Sequence, residues 1–179
     1  MSSPVLTDGP VTLRPLSMAD TDIYHLCTND FDIVKMTGSF PWPFTREFVA
    51  ARLHRLTTQS PKQGQAFAVE NHGAFCGSIG LHALAKPNRY MLGFHLAKSA
   101  WGKGVASRAC TLILEWATDV WGRKTTVEAG HFIDNPASGR VLDKSGFVKT
   151  GDIVPIMCTS RGVKLPSVEY IWRPINTHD

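Results

Sequence analysis

Two stretches of the chain concentrate residue types that can do chemistry. The first is Trp101-Gly102-Lys103-Gly104-Val105-Ala106-Ser107. It follows a strand-like segment and opens a run in which Val105, Ala109, Leu112, Ile113, Trp116, Ala117 and Val120 recur at three and four residues, the spacing of one helix face. Glycines here let the backbone turn tightly, and the unpaired N–H groups of a helix N-terminus, reinforced by the helix dipole, then face whatever approaches. Such a loop can cradle a phosphate. It is not a Walker loop, because Ala97 stands where that pattern has its first glycine and Gly104 follows Lys103 in place of Ser or Thr. The dinucleotide fingerprint fails as well, with Ser107 in the third-glycine position and no acidic residue closing a second parallel strand. A plain strand-to-helix turn uses the same glycines.

The second stretch runs from Asp134 to Phe147, Asp-Asn-Pro-Ala-Ser-Gly-Arg-Val-Leu-Asp-Lys-Ser-Gly-Phe. Asn135 and Pro136 start a helix by cap and first-turn proline, and Gly146 can end it. Ser138 falls early in that helix, where its hydroxyl can bond the backbone. The titratable side chains on predicted strands or their ends are Glu70, Glu128, Asp134, His82, His95 and His131. Alternate strand residues face opposite sides of a sheet, so spacing alone does not choose a base among them. Ser138, His131 and Asp134 have the types of a hydrolase triad, but no Gly-x-Ser-x-Gly elbow accompanies them.

The rest of the sequence must supply one scaffold for these stretches. At 179 residues, 43% hydrophobic and 19% charged, it reads as a single globular domain over 1–179 and not as a disordered, collagen-like or coiled-coil chain. Apolar runs such as Phe48–Ala51 and Ala66–Val69 are far shorter than the ~18 residues of a membrane helix. Without a secretory signal in the first residues, a cytoplasmic location is the expectation. Cys27, Cys76, Cys110 and Cys158 have no Cys-x-x-Cys or Cys-x-x-His spacing, so neither a disulfide scaffold nor a zinc site is expected. The net charge of +4 is scattered, which suits a small anionic ligand better than nucleic acid.

Val11, Leu13 and Pro15 alternate with Thr12 and Arg14 as an opening strand. Ser17 and Asp20 stand at capping-box spacing before a helix carrying Ala19, Ile23, Leu26 and Cys27. Gly38 to Pro43 is a loop carrying two aromatics free to be exposed, Phe40 and Trp42. Thr45 caps a helix with Phe48, Val49, Leu53 and Leu56 on one face. Strands are expected at Gln65–Glu70, Ala74–Leu84 and Arg89–Ala97, the first two joined by a tight turn at Asn71-His72-Gly73. Gly93 inside the third strand signals a bulge or a close backbone approach. Gly122 ends the central helix, Thr125–Ala129 is a further strand, and Phe147–Ile153 and Val168–Trp172 close the fold. The order is β-α-α-β-β-β-α-β-α-β-β, an α/β layer fold with a mixed sheet.

With that order, the glycine loop and the 134–147 run resemble the GNAT superfamily of N-acetyltransferases. Thr12-Leu13-Arg14-Pro15-Leu16, Pro41-Trp42-Pro43-Phe44-Thr45 and Gly93-Phe94-His95-Leu96 are similar to the branch that acetylates N-terminal serine or alanine of ribosomal proteins. The resemblance implies a GNAT-like mixed, mostly antiparallel central sheet with helices on both faces, and acetyl-CoA as cosubstrate. The family loop reads Gln/Arg-x-x-Gly-x-Gly/Ala; Gly104 and Ala106 match its last two fixed positions, and Trp101 replaces the first. Backbone N–H groups of Gly102, Lys103, Gly104, Val105, Ala106 and Ser107 are thereby implied to bind the pyrophosphate, with Lys103, Arg140 and Lys144 as weaker contacts. Asn135 matches the family asparagine that touches the pantetheine arm.

The sequence departs from the family at two catalytic positions. Leu142 stands where many members have the tyrosine that protonates the leaving thiolate, and Ser138 is the implied substitute. Met91 stands where many have a glutamate two residues before the strand glycine, so an obvious carboxylate is missing, and the base is expected at Glu128 or another of the residues named above. The implied reaction is direct attack of a neutral amine on the thioester, with the oxyanion held by a backbone N–H of a bulged strand around Phe94. Deprotonating an α-amine of pKa ~7.7 at pH 7 costs about 1 kcal/mol, against about 4.6 for a lysine amine of ~10.4. A protein or peptide N-terminus, such as that of a ribosomal protein, is therefore the expected acceptor. A small-molecule amine bound near Phe40, Trp42 and residues 153–166, or a non-catalytic acyl-CoA-binding module, are the alternatives.

Overall fold

The computed structural model describes residues 4–175. Eight strands form one sheet: β1 (Leu6–Asp8), β2 (Val11–Pro15), β3 (Gly64–Asn71), β4 (Ala74–Ala83), β5 (Arg89–Leu96), β6 (Thr126–Phe132), β7 (Val148–Cys158) and β8 (Val163–Trp172). Their spatial order is β1-β2-β3-β4-β5-β6-β8-β7, antiparallel throughout except for the pair β5–β6. Helices α1 (Thr21–Thr28), α2 (Phe31–Val34) and α3 (Arg46–Thr58) precede β3, α4 (Val105–Trp121) joins β5 to β6, and α5 (Pro136–Lys144) joins β6 to β7. A helical crossover is what lets β5 and β6 run parallel.

Alternation along the strands feeds two cores, one on each sheet face. On one face Val11, Leu13, Phe67, Ile79, Leu81, Val127 and Tyr170 pack under the apolar stripe of α4 and Leu142 of α5. On the other, Ala66 and Ala68 of β3 pack under Tyr24 of α1 and Val49, Leu53 and Leu56 of α3, with Phe40 and Phe44 from the connecting loop. This is the mixed, mostly antiparallel sheet with helices on both faces that the sequence implies.

Local signals act where they were expected. Ser17 N–H donates to Asp20 Oδ2 at 2.8 Å in a capping box, Thr45 Oγ1 accepts from Phe48 N–H at 3.2 Å, and Asn135 Oδ1 accepts from Ser138 N–H at 3.4 Å. Several expectations need correction. β1 and the one-turn α2 were not foreseen, being too short to show a period. β7 and β8 extend into one long hairpin, although β7 is exposed almost throughout. Cross-strand pairing, not burial, makes that strand, so its side chains carry no hydropathy pattern. Phe40 is buried, while Trp42 is exposed and meets the Phe31 ring edge-on at 5.2 Å. No bulge occurs at Gly93: it pairs in register with Gly80. One irregularity lies between β3 and β4, where Cys76 is the extra residue between the Val69–Gly77 and Glu70–Phe75 pairs, and another lies in β7 between Lys149 and Ile153.

Candidate active site

β5 and β6 pair only at Arg89–Thr126, Tyr90–Val127 and Met91–Glu128, and then part. Backbone parity shows what this exposes. Arg89 C=O accepts from Leu84 N–H and Ala97 N–H donates to Cys76 C=O, so odd residues of this strand bond towards β4. Asn88 C=O accepts from Thr126 N–H and Leu96 C=O accepts from the Trp101 indole, so even residues point the other way. The N–H of Phe94 therefore points into the opening, beyond the last β6 partner. A cavity of about 510 Å³ fills this gap, bounded by Leu92, Gly93 and Phe94 of β5 and Ala129, Gly130 and His131 of β6.

On the α5 side the wall is Asn135, Ser138 and Leu142. Asn135 Nδ2 donates to Ser138 Oγ at 2.9 Å while its Oδ1 caps the helix, so both amide groups are used in the helix start. Because Ser138 Oγ accepts that bond, its own proton is free to donate outward. His131 packs its ring against Gly139, where an added Cβ would stand 2.6 Å from Nε2. His131 Nδ1 lies 2.8 Å from Phe132 C=O, which fixes Nδ1 as the protonated nitrogen. No hydrogen bond joins His131 to Ser138 among the described residues, and Asp134 is held by Arg161 at 2.6 Å. A hydrolase triad is not assembled.

The glycine loop lies at the N-terminus of α4, at the end of β5. Gly102 and Gly104 adopt φ of +71° and +75°, and an added Cβ at either would meet nothing within 4 Å. Both backbones are thus open to a ligand, and no side chain caps α4. Val105 is buried in the core and offers only its backbone, whereas Ala106 and Ser107 are half-buried and Lys103 is exposed. Trp101, 48% exposed, donates its indole N–H to Leu96 C=O at 2.8 Å, which ties the loop to the end of β5. The uncapped N–H groups and the open glycines could take a phosphate group.

The candidate bases are dispersed. Glu70 pairs with Arg14 at 2.6 Å, away from the cavity. Glu128 pairs with Arg89 and lines a separate depression of about 250 Å³ with Leu84, Ala85 and Lys86; it does not border the larger cavity, contrary to its expected placement. His95 does border it, yet its ring nitrogens are engaged by Thr28 Oγ1 at 3.1 Å and Ser78 Oγ at 3.4 Å, and burial pushes its imidazolium down to about 3. His82 also borders it, pushed down to about 4 by burial and then by the charges of Arg52 and Arg55. One carboxyl was missed by sequence reading. Glu169, opposite Gly130, has Oε1 buried with no hydrogen-bond partner among the described residues, 2.8 Å from where a Gly130 Cβ would stand. Burial raises its pKa.

A family model described as "Acetyltransferase (GNAT) domain" matches residues 11–148. The chain belongs to the GNAT acetyltransferase family. It is 25% identical over 151 residues to the uncharacterized N-acetyltransferase YoaA of Bacillus subtilis (strain 168), covering 83% of this chain and 85% of that one. Its fold matches RimL, a ribosomal L7/L12 α-N-protein acetyltransferase solved with coenzyme A, with TM-score 0.82, 16% identity and coverage of 95% and 98%. The microcin C7 self-immunity acetyltransferase MccE, solved with acetyl-CoA and AMP, matches with TM-score 0.80, 14% identity and coverage of 93% and 94%. This GNAT chain is accordingly an acyltransferase of the N-acetyltransferase type, with acetyl-CoA as cosubstrate. No helix among the described residues is long and apolar enough to cross a membrane.

Proposed function

We propose that this GNAT protein transfers the acetyl group of acetyl-CoA to the α-amine of a protein or peptide N-terminus, by direct attack in a ternary complex. The observation that carries the reading is the cavity that passes through the β5–β6 gap, with the α5 start on one side and the loop before α3 on the other. The backbone N–H groups of Gly102 to Ser107, reached past Trp101, hold the pyrophosphate, and Asn135 lies along the pantetheine arm. Acetyl-CoA supplies the activated acyl group. Phe94 N–H faces the gap and meets the charge that develops on the thioester oxygen. Ser138, its oxygen already accepting from Asn135, gives its proton to the departing sulfur.

The base is the weakest requirement for an α-amine. No Asp or Glu among the described residues lines the cavity, and such a site suits an amine that needs only about 1 kcal/mol to lose its proton. The fold likeness to RimL, itself an α-N-protein acetyltransferase, supports the same acceptor. The test measures release of CoA thiol with N-terminal peptides, Nα-blocked lysine peptides and polyamines, and locates the acetyl group by mass spectrometry. α-Amine acetylation at the highest kcat/KM is the expected result; turnover confined to lysine side chains or polyamines refutes it.

A further inference from the structure

The α3 side of the cavity carries charge of one sign. Arg52 and Arg55, one helical turn apart on α3, both border it. Arg52 donates its Nε–H to Tyr24 Oη at 3.1 Å and sets its guanidinium 4.9 Å from the Phe40 ring centre, which fixes its position without neutralising it. Neither arginine has a carboxylate partner among the described residues. His82 stands beside them as a neutral imidazole. The carboxylates closest to the cavity in the sequence are occupied, Glu128 by Arg89 and Asp134 by Arg161, and Glu169 packs on Gly130 outside the lining. A cavity built for a polycation needs carboxylates to meet its extra ammonium groups; this one presents cations.

We propose that this part of the cavity is an oxyanion subsite, in which Arg52 and Arg55 recognise a carboxylate or phosphate that the acceptor carries close to the amine being acetylated. The proposal rests on the acetyl-transfer reading and narrows it: for a peptide N-terminus, the anion is an acidic side chain in the first residues. The cosubstrate's own phosphates are held elsewhere, since the α4 N-terminus belongs to the sheet face opposite α3. A planar guanidinium suits either oxyanion, because its fork of donors matches both geometries.

The experiment compares kcat/KM for peptides identical except for Glu, Gln or Lys at the second residue, and for O-phosphoserine against serine amide. The Glu peptide is expected to exceed the Gln peptide by about 10-fold, and the Lys peptide to fall below both. Arg55→Gln, at an exposed side chain, brings Glu and Gln within about 3-fold, while Arg46→Gln, a charge change on α3 outside the cavity, leaves the ranking intact. Preference for O-phosphoserine with weak peptides supports the subsite with a small-molecule source. A Lys peptide equal to or better than the Glu peptide, or a ranking unmoved by Arg55→Gln, overturns it. A second readout is independent of turnover: sulfate, against chloride at equal ionic strength, is expected to raise the His82 pKa in NMR, and Arg55→Gln to abolish the rise. If no amine is acetylated yet this response is seen, the transfer reading fails and the subsite stands; no response to sulfate, together with no charge ranking, removes the subsite.

Discussion

Replacing Gly104 by valine separates the two roles of the glycine loop, backbone conformation and access. At φ +75° a side chain costs about 1–2 kcal/mol, with the β-branched valine at the upper end. At roughly 2–4 °C per kcal/mol for a domain of this size, Tm should fall by about 2–8 °C. Apart from the adjoining backbone, nothing lies within 4 Å of the new Cβ, so the folded protein has room for the first side-chain atom. A pyrophosphate seated on the N–H groups of residues 102–107 does not. Loss of two charge-assisted hydrogen bonds at about 1.5–3 kcal/mol each weakens acetyl-CoA binding by at least about 100-fold. Gly73→Val is the control, because Gly73 has φ +76°, equally open surroundings and a place in the β3–β4 turn outside residues 101–107. It should lose similar stability and no affinity. Calorimetric titration with acetyl-CoA and thermal unfolding of both variants decide the matter. Wild-type affinity in folded Gly104→Val, or an equal loss of affinity in Gly73→Val, would refute the cradle.

Three further outcomes follow from the same geometry. Ser138→Ala should lower kcat by about 10- to 100-fold with the acetyl-CoA Kd unchanged, since a thiolate of pKa ~8.5 already leaves tolerably well near neutrality; wild-type kcat across pH 6 to 9 would assign the proton to water. His95 is held neutral in the fold, so its contribution is fully present above the unfolded pKa of ~6.5 and is lost as pH falls towards about 3. His95→Gln should cost about 1–3 kcal/mol at pH 7, and denaturant titrations should show that deficit shrinking by pH 4.5. Glu169 has the opposite sign: its pKa is raised by burial, with Glu128 and Asp152 adding to the effect, so the fold loses stability as pH rises through the carboxylate range. Because the residue is only half-buried, Glu169→Gln should raise stability at pH 7 by less than about 1 kcal/mol, with no gain at pH 4; destabilisation at pH 7 would show that the charge has an unseen partner.

The helices and inner strands were legible because their signals are local. Thr45, Asn135 and Gly122 mark helix ends by backbone chemistry that needs no tertiary partner, and the α4 stripe of Val105, Ala109, Ile113 and Ala117 shows its buried face directly. β7 was cut short because its residues are exposed on pairing with β8, and α2 because a single turn has no period to detect. Gly93 illustrates a subtler failure. A glycine inside a strand signals a bulge or a close backbone approach, yet β5 pairs regularly with β4, and the pairing that breaks is the one with β6, which ends after Glu128. A break in pairing is a property of two strands and is written in neither one.

The same distinction divides the site. The cosubstrate side proposed above is built from consecutive residues, 101–107 and 135–138, each at a helix start that its own segment specifies, so a linear pattern reaches it. The proposed acceptor side joins Arg52 and Arg55 of α3, His82 of β4, Met91 of β5, and Ile156 and Met157 of β7, residues brought together by sheet order and by the packing of α3 on the sheet. Glu128 shows why chemistry without placement misleads there. Met91 and Glu128 pair directly, so Glu128 sits one strand away from where relatives have their glutamate, but the parallel register also sets Arg89 beside it and closes an ion pair. With that carboxylate outside the cavity, Arg52 and Arg55 have no counter-charge among the described residues, and the electrostatic demand passes to whatever binds. An acceptor bearing its own anion meets that demand, and a polycation meets repulsion from both arginines.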